Sequence, residues 1–126
     1  TVDDTSPFIS YAPPNAWNHH SGADAQGYVN STCSRTNVQG AVAEFSFSGT
    51  GFWIYGAKKV DYGNYILLLD NEVITYDNAT LSSDEFNQFL GGQNGLEDTQ
   101  HLVTMMADGT MDIDTVMLEL TGQDKQ

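Results

Sequence analysis

The sequence is poor in basic residues, because four Lys and Arg face seventeen Asp and Glu, and the formal charge at pH 7 is -13. A surface of that sign repels nucleic-acid phosphates and the anionic face of a membrane. We therefore expect no nucleic-acid partner. Neutral polymers, cations and basic proteins remain as partner classes, and the charge can also serve solubility alone.

Cysteine is almost absent, since Cys33 is the only one in 126 residues and no internal disulfide can form. Its simplest role is that of a buried apolar residue, and pairing with a partner chain is the alternative.

The longest apolar run, residues 66–69, is far shorter than the roughly 20 residues of a membrane span. We expect no membrane insertion by this segment, and one domain over residues 1–126 with an ordered core at about 2–121.

Apolar and polar residues alternate through much of the chain, which is typical of strands with one buried face. Ala43, Phe45 and Phe47 alternate with Glu44 and Ser46 in this way. The pattern predicts about nine strands and no convincing helix, with residues 15–26 as a polar loop. The strands are predicted at residues 5–11, weakly at 28–32, at 43–47 and 52–55 around a turn at 48–51, and at 64–70, 72–77, 86–90, 101–106 and 111–120. Short strands at this spacing indicate a sandwich or a barrel.

Four stretches together resemble a known family: VDDTSPFISY, AEFSFSGTGFWIYG, DYGNYILLLDNE and DIDTVMLEL. They are similar to the jelly-roll domains of fungal, especially basidiomycete, secreted and membrane-anchored proteins, which are of the galactose-binding-like type. The resemblance implies a jelly-roll β-sandwich of two antiparallel sheets, no catalytic activity and glycan binding. It also implies a structural calcium near the first and last strands. Fold alone does not establish function.

Sugar binding needs an aromatic platform together with polar side chains that bond hydroxyl groups. Trp17 is the predicted platform, and a core position is its alternative. If strands run up and down as predicted, His19, His20, Gln93 and Asn94 lie at the same end of the domain as Trp17. The opposite end is predicted to gather Arg35, Lys58, Lys59, Asp61, Tyr62 and Asp77, as a second site for an acidic or hydroxyl-rich group or as local charge balance. Trp53 and Tyr55 share a strand face, which forms a flat platform if it is exposed; the favoured expectation is that they pack under a loop, with Phe52 and Ile54 in the core between the sheets.

Calcium prefers six to eight oxygen ligands, with carboxylates prominent. Asp3 and Asp4 near the first strand, and Asp112 and Asp114 in the last, are the predicted ligands. Zinc is disfavoured because adjacent residues on a strand point to opposite faces, and the first two of the three histidines are adjacent. We expect calcium as the only candidate cofactor.

Two sequons, at Asn30 and Asn78, permit glycosylation and an extracellular or cell-surface location. The chain starts at Thr1 without a signal-peptide pattern, so we expect a processed or excised piece. No nucleophile signature is present, and an enzyme is not expected. The leading hypothesis is a non-catalytic, lectin-like domain for a neutral glycan. The alternative is an adhesion or structural ectodomain with a protein partner and no sugar site.

Overall fold

A computed structural model describes residues 1–120, and it confirms the all-β prediction. Within these residues, the helical segments are three short 3-10 turns at Pro14–Ala16, Gly22–Ala25 and Val29–Ser31. The strands are β1 (Val2–Asp3), β2 (Ser10–Ala12), β3 (Trp17–Ser21), β4 (Thr32–Thr36), β5 (Val42–Lys58), β6 (Asn64–Leu69), β7 (Glu72–Asn78), β8 (Glu85–Gln93), β9 (Thr99–Asp108), β10 (Met111–Ile113) and β11 (Thr115–Leu120). Residue 121, where the predicted ordered core ends, lies outside the described residues.

The strands form an antiparallel sandwich that β5 joins together. One path of paired strands runs β1-β11-β5-β9-β6-β7, with β2 and β8 also paired to β5, and a three-stranded sheet runs β10-β4-β3. The first half of β5 pairs with β9 and β2, and its second half pairs with β11 and β8. The ring of Phe52 in the second half lies 6.2 Å from Phe45 and 5.9 Å from Phe47 in the first. Side chains from both halves of β5 therefore fill one core.

The continuity of β5 contradicts the predicted turn at residues 48–51. Ser48 and Gly49 pair with β9, and Gly49 and Gly51 pair with β11, so the backbone stays extended. These glycines do not form a turn. They allow the backbone of β11 to approach that of β5 closely. A Cβ on Gly49 would lie 2.1 Å from the carbonyl oxygen of Glu119. A glycine-rich stretch inside a strand is expected where another backbone approaches closely.

Three further predictions, all near the amino terminus, were wrong. Residues 5–11 do not form one strand, because Ser6 N–H donates to Asp3 O and Ile9 N–H donates to Ser6 O. These turns separate β1 from β2. The predicted loop at residues 15–26 contains β3, whose five residues pair with β4. The weak strand predicted at residues 28–32 is a 3-10 turn in which Asn30 has φ 56°, and the strand begins at Thr32.

The last predicted strand, at residues 111–120, is divided at Asp114. β10 pairs with β4, and β11 pairs with β5 and β1. Asp4 N–H donates to Asp114 O at 2.9 Å, which places the start of the chain beside this division. No helix within residues 1–120 has the length and apolar character to cross a bilayer.

Candidate functional site

Three carboxylates meet where the start of the chain lies beside the division between β10 and β11. One oxygen from each of Asp3, Asp4 and Asp114 lies within 4.8 Å of the other two. The Thr32 hydroxyl lies 2.9 Å from Asp3 Oδ2 and 2.7 Å from Asp4 Oδ1, and Val29 N–H donates to Asp114 Oδ2 at 3.0 Å. The structure thus brings together three of the four acidic residues that the sequence nominated for a metal.

Burial and mutual repulsion disturb the titration of this acidic cluster. Burial raises the pKa of Asp114 to about 6, against the hydrogen bond from Val29, and the charges of Asp4 and Asp3 add to the rise. Burial also raises the pKa of Asp4, although hydrogen bonds from Thr32 and Ser34 oppose it. The pKa of Asp3 is lowered, because hydrogen bonds from Thr5 and Thr32 outweigh the effect of its burial. A cation between these groups would relieve the repulsion.

The donor set of the acidic cluster fits a hard cation. Asp3 Oδ1 and Asp114 Oδ1 are buried without a hydrogen-bond partner, and a buried unpartnered carboxylate oxygen is costly. All the side chains at the centre of the cluster offer oxygen. The cluster could therefore hold a metal ion, with Asp3, Asp4 and Asp114 as its ligands.

Asp112, the fourth predicted metal ligand, does not belong to the acidic cluster. It is fully buried, and its Oδ1 accepts a hydrogen bond from Ala57 N–H at 2.8 Å. Its Oδ2 accepts hydrogen bonds from Tyr28 and from Tyr62, the latter at 2.5 Å. Asp112 lies within β10, whereas Asp114 lies at the division between β10 and β11, so the two carboxylates engage different neighbours.

Aromatic and cationic side chains surround Asp112 and form what we call the end site. Its members are Tyr28, Arg35, Lys59, Tyr62 and Phe86. Lys59 Nζ lies 5.4 Å from the ring centroid of Tyr28, 5.8 Å from that of Tyr62 and 5.2 Å from that of Phe86. Arg35 Cζ lies 5.9 Å from the Tyr62 centroid. The sequence placed Arg35, Lys59 and Tyr62 at one end of the domain, and the structure brings these three together.

The cations of the end site have no carboxylate partner in the part of the chain that the structure describes. Within residues 1–120, neither Arg35 nor Lys59 forms an ion pair with Asp or Glu. Arg35 Nη2 donates to Tyr28 Oη at 3.4 Å, and Arg35 Nε is buried without a hydrogen-bond partner. Burial and the nearby charge of Asp112 raise the pKa of the Tyr28 and Tyr62 hydroxyls, so both stay protonated and donate to it. The arrangement places two cations beside an aromatic wall, and neither has a carboxylate partner within residues 1–120.

Tyr28 and Phe86 were missing from the sequence-predicted site, although together they form its wall. Their rings are 5.0 Å apart and nearly perpendicular. A Cβ on Gly27 would lie 2.8 Å from the Phe86 ring, so the ring packs directly on the backbone at that glycine. The Gly27-Tyr28 pair within a polar stretch was the available signal, but its pairing with a residue far along the chain is set by the fold.

Trp17 is a core residue, and it is not an exposed platform. It is 4% exposed, its ring lies 4.9 Å from that of Tyr11, and its Nε1–H donates to Ala12 O. A buried ring cannot stack on a sugar from solvent. The core position that the sequence left open as an alternative is the one that the structure shows.

His19 and His20 lie next to Trp17 on β3, away from the amides predicted to join them. His19 Nδ1 lies 2.7 Å from Ser34 Oγ, and Ser34 Oγ donates to Asp4 Oδ2 at 2.8 Å. Because the serine proton goes to Asp4, His19 Nδ1–H donates to Ser34. An open pocket of about 380 Å³ lies beside these hydrogen-bonded side chains. It is lined by Asp4, Thr5, Ser6, Pro7, Ile9, Tyr11 and His19.

Gln93 and Asn94 belong to a different part of the sandwich from His19 and His20. Gln93 ends β8, which pairs with β5, whereas β3 pairs with β4 in the other sheet. The predicted grouping of these amides with Trp17 depended on the strand count, and β3 was missing from that count. Both amide side chains are exposed.

Comparisons with known proteins identify the fold. No protein-family model and no curated protein matched the chain, but solved structures did. A two-domain esterase active on acetylated mannans, co-crystallised with mannopentaose, aligns over 95% of this chain and 36% of its own, with 8% identity and a TM-score of 0.68. A cycloisomaltooligosaccharide glucanotransferase from Paenibacillus sp., complexed with cycloisomaltoheptaose, aligns over 94% and 18%, with 11% identity and a TM-score of 0.63.

A family two carbohydrate esterase from Cellvibrio japonicus gives a similar result, with 95% of this chain and 33% of its own covered, 12% identity and a TM-score of 0.59. The chain therefore spans little more than a third, or less, of the structures it matches. These likenesses show a β-sandwich that is found in carbohydrate-processing proteins.

The expectation that the protein is not an enzyme is contradicted by these comparisons. It depended on the family resemblance and on the absence of a nucleophile signature. The structures that share its fold over nearly its whole length are esterases and a glucanotransferase, in which the fold is one part of a longer chain. The size of one β-sandwich is therefore no guide to the activity of a protein that contains it.

Proposed function

We propose that this domain binds a neutral glycan at the end site, as the sugar-binding part of a carbohydrate-active protein. The observation that carries the proposal is the partly exposed ring of Phe86 beside the Lys59 ammonium, with Arg35 against the neighbouring Tyr62; within residues 1–120 neither cation has a carboxylate partner. The occurrence of the same fold in proteins crystallised with mannopentaose and cycloisomaltoheptaose supports it.

Phe86 supplies the stacking surface. Its side chain is 36% exposed, whereas Tyr28 and Tyr62 are 6% and 5% exposed. Contact with Tyr28 and with the backbone at Gly27 holds the ring in place, so little conformational freedom is lost when a ligand binds. An aromatic ring held in this way offers the apolar face that the C–H groups of a pyranose require.

Arg35 and Lys59 supply the hydrogen-bond donors. Guanidinium and ammonium groups carry several N–H donors each and accept none, which suits the oxygen atoms of hydroxyl groups and of the sugar ring. Asp112 accepts hydrogen bonds from the hydroxyls of Tyr28 and Tyr62. These bonds fix the two rings against which the cations pack. The net charge of -13 opposes an acidic ligand at long range, and for this reason the proposal specifies a neutral glycan.

The acidic cluster complements the end site as a structural element, and we infer that its ion is Ca²⁺. An all-oxygen set of three carboxylates is the chemistry that Ca²⁺ prefers. Asp3, Asp4 and Asp114 would hold the ion, which would supply a positive charge tying the start of the chain to the β10–β11 division. The acidic cluster is connected to the end site through the backbone, because Asp114 accepts a hydrogen bond from the N–H of Val29, the residue that follows Tyr28.

We also propose an extracellular or cell-surface location for the protein, because the two sequons permit glycosylation there. The side chains of Asn30 and Asn78 are both exposed. The hydroxyl of Thr32 in the first sequon contacts the acidic cluster. Mass spectrometry of the protein from a glycosylating host should find added glycan at Asn30 or Asn78, and an unmodified product would argue against the location.

Titration calorimetry with manno- and gluco-oligosaccharides tests the proposal. We expect Phe86→Ala and Arg35→Gln each to weaken binding about tenfold or more, equivalent to about 1.4 kcal/mol. Tyr76→Ala on β7 is the matched control, because it removes an aromatic ring that is 60% exposed outside the end site. The proposal fails if no oligosaccharide binds the wild type, or if Phe86→Ala binds as the wild type does.

A further inference from the structure

A second row of aromatic side chains lies on the outer side of β11, β5 and β8. On β5, Trp53 lies directly opposite Met117 of β11, and Tyr55 lies directly opposite Phe89 of β8. Residues directly opposite in an antiparallel pair lie on the same side of a sheet, as do residues two apart on one strand. The intervening Phe52 and Ile54 are fully buried on the inner side. We call Trp53, Tyr55, Phe89 and Met117 the aromatic face.

The aromatic face is open to solvent. Phe89 is 50% exposed and Met117 44%, while Trp53 and Tyr55 are half-buried. The rings of Tyr55 and Phe89 lie 5.9 Å apart. Side chains of this size are costly to expose in a contiguous patch, and such patches are typical of binding surfaces.

Glycines shape the surface around Trp53. A Cβ on Gly51 would lie 3.0 Å from Trp53 Cη2 and 3.2 Å from Asn94 Cβ, so the indole extends along the strand over Gly51 toward Asn94. Gly92 lies directly opposite Trp53 on β8 and places no side chain beside it. The ring therefore lies low on the sheet, next to an exposed amide.

The charges of the molecule limit what can occupy this face. Its four side chains are uncharged, and the neighbouring carboxylate of Glu119 is already bonded to the Thr50 hydroxyl at 2.6 Å. A second copy of the chain would bring another formal charge of -13, and like charges oppose self-association. The four side chains of the face offer neither a cation to an acidic polymer nor a carboxylate to a basic protein. A neutral ligand with apolar faces remains.

We propose that the aromatic face is a second binding surface, separate from the end site, which takes a neutral polysaccharide chain. Trp53, Tyr55 and Phe89 would contact the C–H faces of successive sugar rings, and the amide of Asn94 would bond their hydroxyls. Each ring adds one apolar stacking contact, so a polysaccharide that reaches all three rings should bind this face more tightly than a short oligosaccharide does.

The two tryptophans make a direct test available. Trp17 is buried and Trp53 is half-exposed, so ligand on the aromatic face should protect Trp53 alone from acrylamide quenching. We expect galactomannan or hydroxyethylcellulose to reduce quenching in the wild type, and Trp53→Phe to abolish that response. Affinity electrophoresis in the same polysaccharides should show retardation that Phe89→Ala reduces about tenfold, equivalent to about 1.4 kcal/mol.

The controls separate this proposal from the proposed function. Tyr76→Ala should be retarded as the wild type is, and Phe86→Ala should lose oligosaccharide binding but keep the protection of Trp53. Phe89→Ala removes a half-exposed ring and should keep its melting temperature. The proposal is overturned if no neutral polysaccharide retards the wild type or if Phe89→Ala is retarded equally. It is also overturned if the wild type self-associates through this face, as shown by a dimer in sedimentation that Phe89→Ala dissociates.

Discussion

The two tryptophans show how burial separates a structural role from a binding role for the same residue type. Trp17 stands in a polar stretch with His19 and His20, which favoured a loop and an exposed ring. The structure places Trp17 on β3, against Tyr11 and the backbone of Ala12. A strand that is one residue apolar and four residues polar carries almost no periodic signal, so sequence alone could not detect β3.

Replacing Trp17 should therefore cost stability and leave sugar binding intact. We expect Trp17→Ala to lower the free energy of unfolding by about 3–5 kcal/mol, because it removes a large buried ring and leaves a cavity. Urea unfolding followed by circular dichroism measures the loss. The milder Trp17→Phe should still bind oligosaccharides as the wild type does. A Trp17→Ala protein of unchanged stability that no longer binds sugar would restore the platform interpretation.

Asp114 gives the metal-free protein a distinct dependence on pH. Its pKa is about 6 in the folded chain and 3.8 as the ordinary value, so between these values the folded chain keeps a proton that the unfolded chain releases. The contribution of Asp114 to stability therefore falls as pH rises through that window. Calcium requires the ionised carboxylates, so it should compensate at neutral pH and do little in acid.

Melting curves with calcium or with chelator test this expectation. Calcium should raise the melting temperature of the wild type more at about pH 7.5 than at about pH 5, because protons compete for Asp114 at the lower value. In Asp114→Asn, the effect of calcium should be lost at both, and the chelated protein should melt higher than chelated wild type at neutral pH. Equal melting temperatures with calcium and with chelator at neutral pH would remove the calcium proposal.

At the scale of elements, β5 shows why the sequence predicted the strands well but their connections poorly. The alternation of Ala43, Phe45 and Phe47, and later of Phe52 and Ile54, correctly marked buried faces. The change of phase between the two runs was interpreted as a turn. In the folded chain that change occurs within one strand, because Gly49 and Gly51 pair with β11.

Gly49 is the residue of β5 that should least tolerate a side chain. We expect Gly49→Ala to lower the free energy of unfolding by about 1–3 kcal/mol, since its Cβ would lie 2.1 Å from the backbone oxygen of Glu119. Ser46→Ala is the control, because this residue is an exposed member of the same strand, and it should change stability by less than about 0.5 kcal/mol. Equal urea midpoints for the two variants would show that β11 does not approach β5 as described.

At the scale of the molecule, the sequence was sufficient for the fold class and for part of each site. The acidic residues near the chain ends were predicted together because first and last strands were expected to be adjacent. Asp112 was grouped with them because spacing alone does not show that the strand divides at Asp114; in the fold its carboxylate bonds to Tyr28, Ala57 and Tyr62 instead. The end site was half predicted: Arg35, Lys59 and Tyr62 were grouped, but Tyr28 and Phe86 were not. Tyr28 precedes the 3-10 turn before β4 and Phe86 lies on β8, so their contact is set by the fold and not by any local pattern.

The comparisons indicate how this sandwich is used within longer proteins. In these structures the same sandwich makes up little more than a third, or less, of a longer carbohydrate-processing chain. In our account, the domain contributes glycan contact through the end site, and through the aromatic face for long chains. The stability of both surfaces depends on the same core beneath β5 and β8.

The most direct test of sugar binding at the end site is a nuclear magnetic resonance titration of the isotope-labelled domain with a manno-oligosaccharide. The account predicts saturable shifts that concentrate on the amides of Tyr28, Arg35, Lys59 and Phe86, with those of Trp17 and its β3 neighbours unmoved. Saturable shifts centred elsewhere, with these four amides unchanged, would contradict it.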